Sequence, residues 1–231
     1  ARLWQAGKAS GDILELGAGC GLVGLAAATL LREHQLDQSN AVSDEINKDI
    51  KHPHLIFSDY SPAVLKNLQR YIELNKLEGV ARVVGLDFMD QEDVDASKQA
   101  WSDMDGKLQP QVSLILAADD MAYSNDADNV ANTIQAALQP GGQAMIVSPE
   151  KRFGAEGFPD ACYRLGLEVQ VVDNLLDLVS FNDPNEQTEA STLNQARLHE
   201  DLGGTTGFKN QGYEYSNIKM FIIDKPVSIE E

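Results

Sequence analysis

The sequence predicts an α/β protein built on a doubly wound sheet of seven strands, most of them parallel. Two observations lead there. Short apolar runs alternate along the chain with longer helical stretches, the pattern of successive βαβ units. The first run also meets a cluster of glycines and passes directly into a long apolar segment. Residues 12–24 read Asp-Ile-Leu-Glu-Leu-Gly-Ala-Gly-Cys-Gly-Leu-Val-Gly, which is a strand, a tight turn and the start of a helix.

In chain order, the first strand is Ile13 to Leu16 and the first helix Leu22 to Leu31. Gly17, Gly19 and Gly21 lack a Cβ, so the backbone can turn through positive φ and let a ligand lie against it. The helix behind them is expected to offer free N–H groups, so an anionic or strongly polar group should rest on the turn. Glu15 closes the strand at the carboxyl end of the sheet, where open α/β folds place their ligands. Glu33 to Pro53, polar and rich in Asp, Asn and Ser, reads as a long surface insertion ahead of the second strand, His54 to Ser58. Asp59 ends that strand, placed to accept hydrogen bonds from both ribose hydroxyls of an adenosine ligand. Tyr60 follows, and Ser61-Pro62 opens an amphipathic helix to Asn75, with Leu65, Leu68 and Ile72 on its apolar stripe.

The third strand, Ala81 to Leu86, ends in Asp87-Phe88, a carboxylate and a ring that a doubly wound sheet holds over an adenine. An acidic linker, Asp90 to Lys107, separates it from the fourth strand, Val112 to Ala117, which runs into Ala118-Asp119-Asp120-Met121-Ala122-Tyr123. In the doubly wound order this strand lies beside the first. The two carboxylates and the phenol at its carboxyl end are therefore the best-placed groups for chemistry. A helix from Asp126 to Leu138 follows, then Pro140-Gly141-Gly142 turns into the fifth strand, Gln143 to Ser148. Glu150-Lys151-Arg152-Phe153 reads as a solvated loop, Gly157 to Leu165 as the last crossover helix, and Leu167 to Val172 and Ile218 to Asp224 as strands six and seven. Asp173 to Asn217 is a second insertion, with a helical stretch near Glu189 to Asp201, either lining a substrate entrance or forming a plain surface loop.

At 231 residues, 43% of them hydrophobic, the chain suits a single domain, residues 1–231, with an ample core. Eighteen basic against 36 acidic residues give a formal charge of -18, which argues against a nucleic-acid backbone as main partner and suits a basic protein segment or a small molecule. Cys20 and Cys162 form no metal-ligand spacing and no disulfide framework. A reducing compartment is expected, the cytoplasm or the nucleus. No run has the length of a transmembrane helix, and no membrane association is expected; the four histidines are scattered, and no metal is expected. The chain starts without Met and close to its glycine motif, so upstream residues are expected in a longer parent; a monomer is expected.

Gly19-Cys20-Gly21-Leu22-Val23-Gly24 also satisfies the dinucleotide fingerprint G-x-G-x-x-G. Asp59, however, falls 40 residues after Gly19, about twice the spacing of roughly 20 which that fingerprint requires. The full stretch instead resembles motif I of class I S-adenosylmethionine-dependent methyltransferases through Glu15, Gly17, Gly19 and Gly21. Further matches make the resemblance narrower. Trp4, Asp59, Leu65-Lys66-Asn67-Leu68, Leu86-Asp87-Phe88, Asp120-Met121-Ala122-Tyr123 and Glu150-Lys151-Arg152-Phe153 are similar to signatures of the seven-β-strand protein-lysine methyltransferases known as methyltransferase family 16. Phe88 stands where that family has tryptophan, and Ala117-Ala118-Asp119-Asp120 is one residue longer than the family's Ala-Ala-Asp phrase. Either Asp119 or Asp120 holds the family position, and the Asp-x-x-Tyr spacing favours Asp120.

The resemblance implies a Rossmann-like sheet whose last strand is antiparallel, S-adenosyl-L-methionine as cofactor, and methyl transfer to a protein lysine. A small molecule or another residue type as acceptor, or a non-catalytic S-adenosylmethionine-binding interaction protein, are the alternatives. It implies cofactor contacts from Trp4, from Glu15, Gly17, Ala18, Gly19 and Gly21 of the turn, from Asp59 and Tyr60, from Asp87 and Phe88, and from Ala118. Asp120 and Tyr123 are the expected catalytic pair, shaping and polarising the channel for the amine.

Overall fold

Parallel neighbours in a sheet need crossovers, and the apolar stretches between the strands supply them as helices. The computed structural model describes residues 11–41, 53–90, 94, 112–173 and 218–227. Its elements run β1 (Ile13–Leu16), α1 (Leu22–Ala41), β2 (Leu55–Asp59), α2 (Pro62–Leu74), β3 (Ala81–Gly85), β4 (Val112–Ala118), α3 (Asp126–Ala137), β5 (Leu138–Pro149), α4 (Phe153–Arg164), β6 (Glu168–Val172) and β7 (Ile218–Asp224).

The strands form one sheet in the order β3-β2-β1-β4-β5-β7-β6. β7 alone runs antiparallel, between β5 and β6. The order reverses direction at β1 and β4, paired in parallel from Ile13 with Leu114 to Leu16 with Ala117. That is the switch point at which the carboxyl ends of two strands diverge and leave a crevice.

Side chains of β1 alternate between the two faces, as the pleat requires. Ile13 joins Leu55, Phe57, Leu68 and Ile72 under α1 and α2. Leu14 and Leu16 join Ile56, Ile115, Val130, Ile134 and Phe158 under α3 and α4. All four residues of β1 are buried, which is why the strand reads as a continuous apolar run broken only by Glu15.

Three elements differ from their sequence readings. α1 continues to Ala41, so the first part of the expected Glu33 to Pro53 insertion is helix. Its added turns are tied by polar groups: Arg32 donates to the Asn75 carbonyl at 2.7 Å and Gln35 to the Pro53 carbonyl at 3.1 Å. Apolar periodicity is blind to such tethers. β5 begins at Leu138 and runs through Pro140-Gly141-Gly142, where a turn is expected. The register slips between Val112 and Leu114, Gly141 adopts φ 78°, and Gly141 and Gly142 exchange backbone hydrogen bonds with Lys225. The glycines form a bulge that pairs with the chain leaving β7. α4 starts at Phe153, four residues before Gly157. Residues 42–52, 95–111 and 174–217, with the helical stretch expected near Glu189, lie outside the described residues.

The last turn of α3 holds no basic residue of its own. Lys225 supplies the charge from a distant part of the chain, its Nζ donating to the carbonyls of Gln135 and Leu138 at 2.7 Å each. Lys225→Met, which keeps the aliphatic stem, is expected to cost about 1 kcal/mol. The check is a urea midpoint that falls with an unchanged m-value.

Candidate functional site

The glycine turn joins the carboxyl end of β1 to α1, and its three outer glycines serve three different purposes. All three have positive φ: 53° at Gly17, 51° at Gly19 and 71° at Gly21. A Cβ on Gly21 would lie 2.5 Å from Leu68 Cδ2, so this glycine lets α2 pack close. A Cβ on Gly17 would lie 2.0 Å from Asp120 Oδ1, so this one makes room for a carboxylate from β4. A Cβ on Gly19 would meet only the Gly17 carbonyl, at 3.8 Å, so Gly19 faces open space. Gly24, one turn into α1, is equally constrained: its Cβ would lie 2.2 Å from Glu15 Oε2 and 2.4 Å from Phe57 Cε1. The third glycine of the apparent dinucleotide fingerprint thus serves helix–strand packing.

The turn's donors are largely spent within the protein. Ala18, itself buried, donates to the Ser58 carbonyl, Gly21 to the Ala18 carbonyl, Gly19 to Asp59 Oδ2 at 3.1 Å and Gly24 to Glu15 Oε1 at 3.0 Å. This corrects the expectation of free N–H groups holding an anion. Side-chain carboxylates from β1 and β2 take up N–H groups that a phosphate would otherwise need. Ser58 completes the stitching by donating its hydroxyl to the Glu15 carbonyl at 2.7 Å.

Three carboxylates therefore converge on the turn. Glu15 is 3% exposed, and its Oε2 meets no donor among the described residues. Desolvation pushes its pKa up to about 7, against the lowering effect of the Gly24 N–H. Asp59, 7% exposed, accepts from Gly19 through Oδ2 and from Ser61 N through Oδ1 at 2.9 Å. Asp120 lies against Gly17, with its Oδ2 buried and without a described donor. Its pKa is pushed up to about 8, first by desolvation, then by the charges of Glu15, Asp119 and Asp59, against the lowering effect of a hydrogen bond to the Ala118 backbone.

The doubled aspartate after β4 resolves into two roles. Asp119 takes φ 67°, rare for a residue other than glycine. Its carboxylate turns away to a bidentate pair with Arg152, whose Nε donates to Oδ1 at 2.7 Å and whose second terminal nitrogen donates to Oδ2. Asp120 alone of the two faces the turn. Asp119 is one of the two carboxylates that the sequence offers for chemistry, and the structure gives it this other role; Arg152 stands out only through the Glu150-Lys151-Arg152 stretch after strand five.

The remaining predicted residues are placed unevenly. Ala118 ends β4, exposed beside the crevice and paired with Val147. Tyr60 and Tyr123 are 71% and 73% exposed, and the Tyr123 N–H is held by Asp126 Oδ2 at 2.7 Å. Asp87 Oδ1 accepts from Met89 N at 2.9 Å, and Phe88 is half-buried against the α3–α4 core. The structure thus joins Glu15, Asp59 and Asp120 to the glycines and leaves both tyrosine side chains in solvent. Trp4 lies outside the described residues.

Among the described residues no group of three or more His, Cys, Asp or Glu side chains could hold a metal ion. None of their helices is long and apolar enough to cross a membrane. A cavity of about 290 Å³ opens between α4 and the β6–β7 edge, lined by Glu150, Glu156 and Lys219, and no residue of the glycine turn lines it.

No curated protein matches the chain. Solved structures share its fold at low identity. A TehB-like SAM-dependent methyltransferase from Corynebacterium glutamicum is 18% identical, with 97% of this chain and 85% of that chain covered at a TM-score of 0.51. The cyclase SpnF is 13% identical over 94% of this chain and 77% of that chain, at 0.55. The fibrillarin pre-rRNA processing protein of Methanococcus jannaschii is 12% identical over 94% and 67%, at 0.51. One of these is a cyclase, so the fold alone does not specify methyl transfer. The sequence does so at finer grain: the lysine methyltransferase family profile matches residues 4–158, well over half of the chain, and the protein belongs to this family, whose cofactor is S-adenosylmethionine.

Proposed function

We propose that the chain transfers a methyl group from S-adenosylmethionine to a lysine side-chain amine of a basic protein. One observation carries the cofactor's seat. Glu15, Asp59 and Asp120 surround a turn whose donors at Ala18, Gly19, Gly21 and Gly24 are already bonded, with two buried carboxylate oxygens lacking a described donor. Such a site repels a pyrophosphate and suits a ligand carrying a sulfonium and an ammonium group. Gly19, the glycine open to space, is the platform.

Bound S-adenosylmethionine supplies an already electrophilic methyl group. The protein's part is to align the acceptor and exclude water. Asp59, fixed by the N–H groups of Gly19 and Ser61, keeps lone pairs for the ribose hydroxyls. Tyr60, Asp87, Phe88, Ala118 and Trp4 take the remaining cofactor contacts in this reading. A lysine amine, with an ordinary pKa of about 10.4, must lose its proton before attack. Asp120, two residues past β4, belongs to the cofactor's seat and in this reading also binds and orients the incoming ammonium, and Tyr123, exposed three residues further on, lines its approach. The acidic balance of -18 supports a Lys-rich protein as the partner.

Calorimetric titration of the purified protein with S-adenosylmethionine and, separately, NAD separates the two cofactors; a preference for NAD would sink the reading. Incubation with labelled methyl donor and a lysate lacking the enzyme, followed by mass spectrometry of the labelled product, identifies the acceptor atom. Asp120→Ala is expected to lower labelling by about 100-fold, and undiminished labelling would remove Asp120 from the chemistry.

A further inference from the structure

We propose that Arg152 is a positioning residue of the cofactor site: by gripping Asp119 it holds the left-handed turn that folds Asp120 back onto Gly17. The inference rests on the cofactor seat described above. It follows from the backbone path after β4. Ala118 is the last residue of the strand, and Asp119 reverses the chain at φ 67°. A residue other than glycine is strained there, although aspartate tolerates the region better than most. Something must hold it.

Two elements do, one on each side of Asp120. On the Asp119 side, the Asp119 N–H donates to the Val147 carbonyl of β5 at 2.9 Å, and the Arg152 guanidinium takes both carboxylate oxygens. A planar fork on a carboxylate fixes orientation as well as distance, which an ammonium does not. On the Met121 side, the Gly154 N–H reaches the Met121 carbonyl at 3.4 Å. A Cβ on Gly154 would lie 2.9 Å from Met121 Cβ, so the start of α4 presses directly on this segment. The fully buried Met121 side chain is the anchor there. Asp120 is therefore clamped between two attachments to one short stretch, Arg152 to Gly154.

Stability does not explain the ion pair. Its side chains are 40% and 48% exposed, and pairs so open to water contribute little to folding. Its effect is local. Besides setting the turn, the guanidinium offsets the charge of Asp119, one of three carboxylates that bear on Asp120 together with Glu15 and Asp59.

The test is a calorimetric titration of S-adenosylmethionine into the wild type, Arg152→Gln, Arg152→Lys and the double variant Asp119→Gly/Arg152→Gln, from pH 6 to 9, with melting temperatures alongside. Arg152→Gln is expected to bind about tenfold more weakly, with its affinity-against-pH curve moved to higher pH and its melting temperature nearly unchanged. Arg152→Lys, which keeps the charge and loses the fork, should fall between. The double variant should regain most of the affinity, because glycine adopts the left-handed turn unaided and no carboxylate is left to hold. Wild-type affinity in Arg152→Gln, or a double variant as weak as the single one, overturns the proposal. So does a melting temperature that falls with the affinity and is not restored in the double variant, which makes Arg152 merely structural. Failure of the wild type itself to bind S-adenosylmethionine would instead overturn the cofactor seat.

Discussion

Gly24→Ala is expected to destabilise the protein by about 3 kcal/mol, near the upper end of overpacking costs. The added methyl would lie 2.2 Å from Glu15 Oε2, 2.4 Å from Phe57 Cε1 and 2.9 Å from Leu55 Cδ2. None of these can step aside. Phe57 and Leu55 are fully buried on β2, and Glu15 is held to Gly24 by the hydrogen bond that the methyl would push apart. Alanine's better helix propensity, worth up to about 1 kcal/mol, offsets only part of the clash. For a chain of this size the loss corresponds to a melting temperature lower by roughly 10 °C. Gly157→Ala is the control: it lies within α4, and a Cβ there meets nothing within 4 Å. That change should stabilise by about 0.5–1 kcal/mol. Scanning calorimetry of the two variants reads both signs, and equal melting temperatures would refute the close helix–strand approach.

The second large effect concerns pH. With the Asp120 carboxyl at about 8 in the free protein, a cationic ligand at the turn must displace its proton. Affinity for S-adenosylmethionine is therefore expected to rise about tenfold per pH unit between pH 6 and 8, and to level off above. Near pH 7 about one proton should leave per ligand bound, read as a calorimetric heat that changes with the ionisation enthalpy of the buffer. Asp120→Asn should flatten the profile and reduce that proton release to the share of Glu15. A profile identical to the wild type's would show that Asp120 does not sense the ligand.

Stability of the free protein moves the other way. Between the ordinary value of 3.8 and the folded value of about 8, the native state holds the Asp120 proton more tightly than the unfolded chain does. Its contribution is thus fully present at low pH and is lost as pH rises through that window. Glu15 adds the same sign between 4.5 and about 7. Melting curves at pH 5 and pH 8 should therefore lie closer together in Asp120→Asn than in the wild type.

Much of the site is legible in the sequence because its parts are local. The strand, turn and helix of residues 12–24 announce themselves through an apolar run, three spaced glycines and a second apolar run. Asp59 and Asp120 follow from the rule that ligands gather at carboxyl ends of strands. The elements that escape are those held by distant partners. α1 reaches Ala41 through polar tethers to Asn75 and Pro53, and the Pro-Gly-Gly segment becomes strand only because Lys225 lies beside it.

The sequence by itself determined the order of strands and helices, the glycine turn and the carboxylates at the strand ends, since each is written in residues a few positions apart. Only the tertiary structure decided what those carboxylates do. Glu15 and Asp59 take up the turn's own N–H groups, so the turn favours a cation where its glycines alone would favour an anion. It also decided between Asp119 and Asp120, neighbours that the sequence separates only by the Asp-x-x-Tyr spacing. The choice rests on φ 67° at Asp119 and on Arg152, which reaches it from the far end of β5, 33 positions along the chain.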